Sequence, residues 1–239
     1  MEWLDRLSKA KSLPLLDKEI IGCRKCPRLV EWREEVAVVK RKSYEHEKYW
    51  GRPVPGFGPS DARIVIVGLA PGAHGANRTG RIFTGDSSGD WLYKALHKAG
   101  LATIPTSTGI DDGQVLIDTR ITCAVRCAPP DNKPSTEEKA QCSDYLVREF
   151  ELLLPTARTF VALGSFAWSA IIKSLRDLGH QISTPTPKFG HAECFTWIAP
   201  DGITRLVIGS YHPSQQNTFT GILTEPMLNA VIKKAKNFK

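Results

Sequence analysis

The chain has 239 residues, 41% of them hydrophobic, and carries 32 Lys and Arg against 25 Asp and Glu, a formal charge of +7. That length and balance support a sizeable core in one domain spanning residues 1–239, and no apolar run approaches the roughly 18 residues of a membrane helix, so a helical membrane protein is excluded. The basic excess suits a polyanionic partner such as DNA or RNA, and suits equally a basic protein with no such partner.

Residues 1–21 are amphipathic and mixed in charge, with Trp3, Leu4, Leu7, Leu13, Leu15, Leu16 and Ile20 as apolar points and Pro14 interrupting any single helix. A basic start followed by an apolar run is missing, so no secretory signal is read and a cytoplasmic location is expected. A Cys23-Arg-Lys-Cys26-Pro27 segment follows, then a charged helical stretch over 29–42 and an irregular Pro- and Gly-rich loop over 49–60. The run from Arg63 to Gly68, apolar after its first residue, predicts a first strand. Residues 91–99 then show helical periodicity, with Ser87 or Ser88 available as a cap. A polar loop over 103–114 leads to a second strand near 119–125. Ser135-Thr-Glu-Glu138 opens an amphipathic helix to Leu154 with a capping pattern. A third strand is expected over 159–163 and a helix over 166–175. A hairpin is expected over 194–198 and 206–208 around Asp201-Gly202, and a last helix over 224–235. Strands alternating with helices imply an α/β sandwich with a largely parallel sheet.

Two features carry chemistry. Six cysteines in an intracellular chain point to metal or cluster chemistry rather than disulfides. Cys23 and Cys26 form one pair and Cys127 and Cys142 a second. Four thiolates with Arg24, Lys25 and Arg126 beside them suit a structural zinc or a [4Fe–4S] cluster, and spacing leaves both open. Cys123 and Cys194 read as ordinary buried thiols in strands. The second feature is the stretch from Gly68 to Gly89, GLAPGAHGANRTGRIFTGDSSG, which has no carboxylate before Asp86. Backbone can approach a ligand closely here. It is neither a Walker A loop nor a GxGxxG fingerprint. Its backbone N–H groups, Asn77, the guanidinia of Arg78 and Arg81 and the Phe83 ring could bind a flat polar ring; the plain alternative for Phe83 is a core aromatic. Tyr211-His212-Pro213-Ser214 follows a strand, where α/β folds bind ligands, although a lone His is as often structural. The next segment, QQNTFTGILT, is polar with Phe219 as an apolar wedge able to enter a base stack.

Together CRKCPRL, the long glycine motif, VRCAPPDNKPSTEE with its later Cys142, LGSFAW and SYHPSQQNTFTG closely resemble the uracil-DNA glycosylase superfamily, and within it family 5, from Cys23 nearly to the C-terminus. The resemblance implies a three-layer α/β/α sandwich around a four-stranded parallel sheet. It also implies a structural [4Fe–4S] cluster on Cys23, Cys26, Cys127 and Cys142 that tethers the N-terminal segment, which favours iron–sulfur over zinc. The implied activity is monofunctional hydrolysis of the N-glycosidic bond of uracil in DNA, initiating base excision repair, by a monomer whose partner is DNA. Phe83 then serves as stacking platform and His212 as donor to the base oxygen. Gly72, Ala70, His74 and Cys123 line the base site. Ser165, Ser214, Gln215, Asn217 and Phe219 contact DNA. Most families carry a polar or acidic residue where this chain has Ala70, so Asn77 is the first candidate to position the water, with Asp86 and His74 next. Cys123 stands where relatives often use an asparagine to read the base, which implies broadened selectivity: hypoxanthine and other deaminated bases besides uracil. Two rival readings fit less of the sequence. His191-Ala-Glu193 fits the HxE of zinc deaminases, but the cysteine pair precedes it here. A non-catalytic iron–sulfur DNA-binding or redox protein would leave the glycine loop and YHPS unused.

Overall fold

The structure is a computed structural model that describes residues 10–239. Trp3, Leu4 and Leu7 lie outside the described residues. From Leu13 the apolar spacing builds helix α1 (Leu13–Ile21), which buries Leu13, Leu16 and Ile20. Pro14 sits in its first turn, where its missing N–H costs nothing, so it starts this helix instead of interrupting it. Pro27 does the same for α2 (Pro27–Val39), with Cys26 as the residue before it.

Five strands follow: β1 (Ile64–Gly68), β2 (Thr119–Cys123), β3 (Thr159–Leu163), β4 (Cys194–Ile198) and β5 (Thr204–Ser210). They form one sheet in the order β2-β1-β3-β5-β4. The first four in that order are parallel, and β4 runs antiparallel to β5 at the edge. The expected four-stranded sheet is therefore corrected to five strands. The Asp201-Gly202 turn folds β4 back beside β5, and Gly202 has a φ of 77°, which a residue with a Cβ would adopt only with strain. β1, β2 and β3 are buried throughout, which explains the apolar runs of β1 and β3; β2 is the exception, with Arg120 and Thr122 buried against Glu149.

Side chains alternate between two helical layers. Val65, Val67, Phe160 and Val207 pack with α1, α2, α5 (Thr136–Leu153) and α6 (Ser165–Asp177). Ile64, Ile66, Val161, Leu206 and Ile208 pack with α4 (Ser87–Lys98) and α8 (Glu225–Asn237). Two short helices, α3 (Ala76–Thr79) and α7 (Gln215–Phe219), lie in the loops after β1 and β5. Each of these fully buried aliphatic side chains contributes roughly 1.5–3 kcal/mol relative to exposure.

Polar groups tie the layers together. Ser135 and Glu138 form the reciprocal cap expected at α5. Inside the first layer, Glu149 is fully buried between Arg120 (2.6 Å) and Arg126. Arg120 reaches on to Asp17 of α1 at 2.8 Å. Burial alone would raise the Glu149 carboxyl, but Arg126 and Arg120 outweigh it and hold the group down at about 2. No helix among the described residues is long and apolar enough to cross a membrane.

Candidate active site

The parallel strands all end on one side, so their following loops meet there, as ligand-binding loops do in open α/β sheets. They enclose a cleft of about 730 Å³. Gly68 at the end of β1 is needed because a Cβ there would stand 2.8 Å from the Phe83 ring and 3.1 Å from Cys123 Sγ. Phe83 rests directly on that backbone and lines the cleft. It has a φ of 52°, a left-handed conformation that costs an aromatic residue about 1–3 kcal/mol.

The surrounding contacts hold Phe83 in that strain. Arg81 donates to Ser107 Oγ at 2.7 Å and to Thr84 Oγ1 at 3.1 Å, and pairs with Asp112. Arg78 donates to Gly85 O at 2.9 Å and to His74 O at 2.8 Å, and pairs with Glu47. The expectation that both guanidinia serve a ligand is thus corrected: both are buried and used to fix the loop.

His212 leaves β5 beside Phe83, with ring centroids 5.8 Å apart and planes tilted by 32°. Asn217 Nδ2 donates to His212 O at 2.8 Å and fixes its backbone. Its ring nitrogens have no partner among the described residues and face the cleft. Desolvation lowers the imidazole to about 4, so at neutral pH it is an uncharged ring with one N–H to donate.

Asp86 caps α4: Oδ1 accepts from Gly89 N at 2.9 Å. The cap expected from Ser87 or Ser88 is thereby corrected. Oδ2 faces the turn after β1 so closely that a Cβ on Gly75 would lie 2.0 Å from it, and one on Gly72 3.2 Å. Burial raises the Asp86 carboxyl, only partly offset by the Gly89 and Ser88 N–H groups.

Other expected residues fall in three places. Ala70, Gly72, His74, Ser214 and Gln215 line the cleft with Phe83, Asp86 and His212. His74 is held neutral by desolvation and by Arg41 and Arg78, and its Nδ1 lies 3.1 Å from Tyr49 Oη. Ser165 begins α6, and Asn217 and Phe219 lie in α7; the three are outside the cleft lining, and Phe219 is 80% exposed. Asn77 and Cys123 do not line the cleft. Asn77 is fully buried and donates from Nδ2 to Arg33 O at 3.1 Å. Cys123 is buried under Gly68, where desolvation raises its thiol.

Sequence reasoning missed Arg41, Tyr44, Asp131 and Asn132, which also line the cleft. Asp131 and Asn132 have φ of 52° and 56°. Their signal was the PPDNKP run, since Asp and Asn tolerate the left-handed region better than other side-chain-bearing residues.

Cys23, Cys26, Cys127 and Cys142 line one separate cavity between α2, α5 and the loop after β2. Arg33 donates to Cys127 Sγ at 2.9 Å and Arg126 N to Cys142 Sγ at 3.3 Å. Among the described residues, no three His, Cys, Asp or Glu side chains converge closely enough to hold one metal ion; the thiols ring a space instead. His191 lies elsewhere, with Nδ1 accepting from Tyr211 N at 3.2 Å, so it does not join the cysteines as a deaminase site requires. Cys194 is exposed on the edge strand, which corrects its expected burial.

The model of the uracil DNA glycosylase superfamily matches residues 55–236. A type-5 uracil-DNA glycosylase of Mycobacterium leprae is 50% identical over 227 residues, covering 95% of this chain and 96% of the relative. One of Thermus thermophilus is 47% identical over 224 residues, covering 91% and 94%. A type-4 uracil-DNA glycosylase of Archaeoglobus fulgidus is 32% identical over 206 residues, covering 85% and 82%. The chain belongs to the uracil DNA glycosylase superfamily and, within it, to the type-5 uracil-DNA glycosylases.

Proposed function

We propose that this chain is a monofunctional DNA glycosylase that hydrolyses the N-glycosidic bond of uracil in DNA and so begins base excision repair. The observation that carries this reading is the meeting, in one cleft, of a strained aromatic platform, an unpartnered neutral imidazole and a buried carboxylate: Phe83, His212 and Asp86. A non-catalytic DNA-binding or redox protein has no use for this combination.

The bond to be cut is hidden in the duplex, so the nucleotide must rotate out before chemistry begins. The base stacks on Phe83 with its oxygen at His212. As the C1′–N1 bond breaks, its electron pair moves onto the base, and the neutral His212 N–H stabilises the developing oxyanion. The sugar becomes cationic at C1′. Asp86 Oδ2, the carboxylate oxygen not spent on capping α4, orients a water whose oxygen bonds to C1′ and whose proton passes to the carboxylate. Asp86 replaces Asn77 as first candidate for this role, because the Asn77 side chain is turned to Arg33. Ser214, Gln215 and Asn217 then meet phosphates, and Phe219 fills the gap left by the rotated base.

The cleft-facing set contains no carboxamide held rigidly against the base edge from β2, where Cys123 is buried. This supports a wider range that includes hypoxanthine and other deaminated bases. The four-cysteine cavity fits a polynuclear cluster better than one ion: four thiols surround it and the buried guanidinia of Arg33 and Arg126 stand beside it. Cys23, Cys26, Cys127 and Cys142 would hold a [4Fe–4S] cluster that joins the residues around α2 to the loop after β2. Its contribution is structural, and no step of the hydrolysis passes through it.

The test is a panel of oligonucleotides carrying one uracil, hypoxanthine or thymine. Abasic sites from uracil and hypoxanthine but not thymine, with no borohydride-trapped adduct, are expected. Tight DNA binding without any abasic product sinks the enzyme reading, and a trapped adduct sinks the water mechanism.

A further inference from the structure

Asn77 is fully buried and does not line the cleft. Its N–H donates to Gly72 O and its carbonyl accepts from Gly51 N, both at 3.0 Å, while Nδ2 donates to Arg33 O at 3.1 Å. Arg33 is 2% exposed, and its guanidinium donates to Cys127 Sγ at 2.9 Å and Cys23 O at 3.2 Å. One residue pair therefore joins two regions distant in sequence. On one side stand two cysteines of the four-thiol cavity. On the other is the turn from Gly72 to Gly75, which packs against Asp86 with no room for a methyl group.

Two more observations bear on this link. Arg33 Nε and Asn77 Oδ1 are both buried without a partner. A buried pair that leaves hydrogen-bonding capacity unused is not optimised for stability alone. The turn also packs directly on Asp86: Gly75 has no Cβ, and one added there would stand 2.0 Å from Oδ2, so the carboxylate rests against the glycine backbone and its placement depends on where the turn lies. Misplacing a catalytic group by about 1 Å can cost about a hundredfold in rate.

We infer that Arg33 and Asn77 are positioning residues that couple the packing of the cysteine cage to the placement of Asp86. When Cys127 is in place, the Arg33 guanidinium has its partner, α2 keeps its position, and its carbonyl holds the Asn77 amide and hence the turn. When the cage opens, the buried guanidinium loses its contact with Cys127 Sγ and keeps only Cys23 O and the more distant Glu34 carboxylate, α2 moves to resolvate it, and the turn relaxes. The cage thereby sets whether the cleft is competent.

Hydrogen exchange of a peptide spanning residues 69–80 tests this in the full-length protein as purified, comparing wild type, Arg33→Lys, Asn77→Ala and the double variant. Each single change is expected to accelerate exchange of the turn amides about fivefold or more, the equivalent of one net hydrogen bond. The double variant should exchange no faster than the faster single one, because both break the same link. Asn77→Ala should also keep the reactivity of the four thiols unchanged and lower kcat with KM unaltered, and Asn77→Ser, which retains a short donor, should restore part of both readouts. If Arg33→Lys does not fold, Cys127→Ser takes its place. Wild-type exchange at the turn in Arg33→Lys or its replacement, or fully additive acceleration in the double variant, overturns the coupling. The kcat arm rests on the glycosylase reading; the exchange arm does not, so the two fail separately.

Discussion

Replacing His212 examines the leaving-group half of the mechanism. Desolvation lowers this imidazole to about 4, so at pH 7 only about one molecule in a thousand carries the extra proton. The donor is therefore the neutral N–H. Removing one such donor from a developing oxyanion costs about 2.7–4 kcal/mol, or about 100- to 1000-fold in rate. His212→Ala should show that loss in single-turnover excision from a fluorescent uracil oligonucleotide, read as alkali-labile strand scission. His212→Gln, which keeps a neutral donor, should recover part of it. Between pH 5.5 and 8 the wild-type rate should contain no step belonging to His212. The same shift has a stability consequence of definite sign. Because the folded pKa lies below the unfolded one, the unfolded chain takes up the proton first. The His212 contribution is complete above about pH 6.5 and is lost as pH falls toward 4, by up to about 3 kcal/mol. His212→Ala should melt with a shallower acid dependence over that window. A rate that drops near pH 6.5 as the solution becomes more alkaline, and loses this step in His212→Gln, would show an imidazolium donor and refute the reasoning. So would His212→Ala within twofold of wild type.

Asp86→Asn should reduce single-turnover excision about a hundredfold or more while DNA binding persists, and the acidic limb of the wild-type rate profile should lie above the ordinary aspartate range because burial raises this carboxyl. Gly75→Ala should reproduce most of that loss in a folded protein, since the new methyl would sit 2.0 Å from Asp86 Oδ2; near-normal rates would place Asp86 outside the chemistry. Phe83→Ala removes the stacking platform, worth about 1–3 kcal/mol, and should raise KM for uracil DNA as well as slow the reaction. Glu149→Gln leaves Arg120 and Arg126 without their buried partner and should cost about 3–5 kcal/mol, read by denaturant melts.

What the sequence made legible follows from how local the determinants are. The strand runs over 64–68 and 159–163, the Ser135–Glu138 cap and the Asp201-Gly202 turn are set by residues close in the chain, and they appear as expected. Five strand segments were legible as well; that β4 joins the same sheet antiparallel at its edge, beyond the four parallel strands the resemblance implied, is a tertiary fact. The site was legible where a residue type has few uses. Phe83, His212 and Ser214 stand in the cleft because motif and strand end place them there. The role of the two arginines is not legible locally, because a guanidinium in a glycine loop serves a ligand or the loop equally well on paper. Ser107 and Asp112 from a later loop decide it for Arg81, and Glu47 from an earlier one for Arg78. Asn77 and Asp86 exchanged rank for a related reason: the Asn77 side chain is turned to Arg33 of α2, which lies outside the glycine motif, and Asp86 is oriented as the cap of α4, of which the motif holds only the first residues. Arg41 and Tyr44 come from before the glycine motif and Asp131 and Asn132 from well after it; the PPDNKP run marks a turn at the latter pair, but no local pattern names the cleft that the four residues enter.

The arrangement is tested most directly by the position of the base in a complex of the Asp86→Asn variant with a duplex bearing one uracil. Uracil rotated out of the helix, stacked on Phe83 and within hydrogen-bond distance of the His212 ring is the expected result. A uracil that stays stacked in the duplex, or lies in a pocket lacking Phe83 and His212, would contradict it.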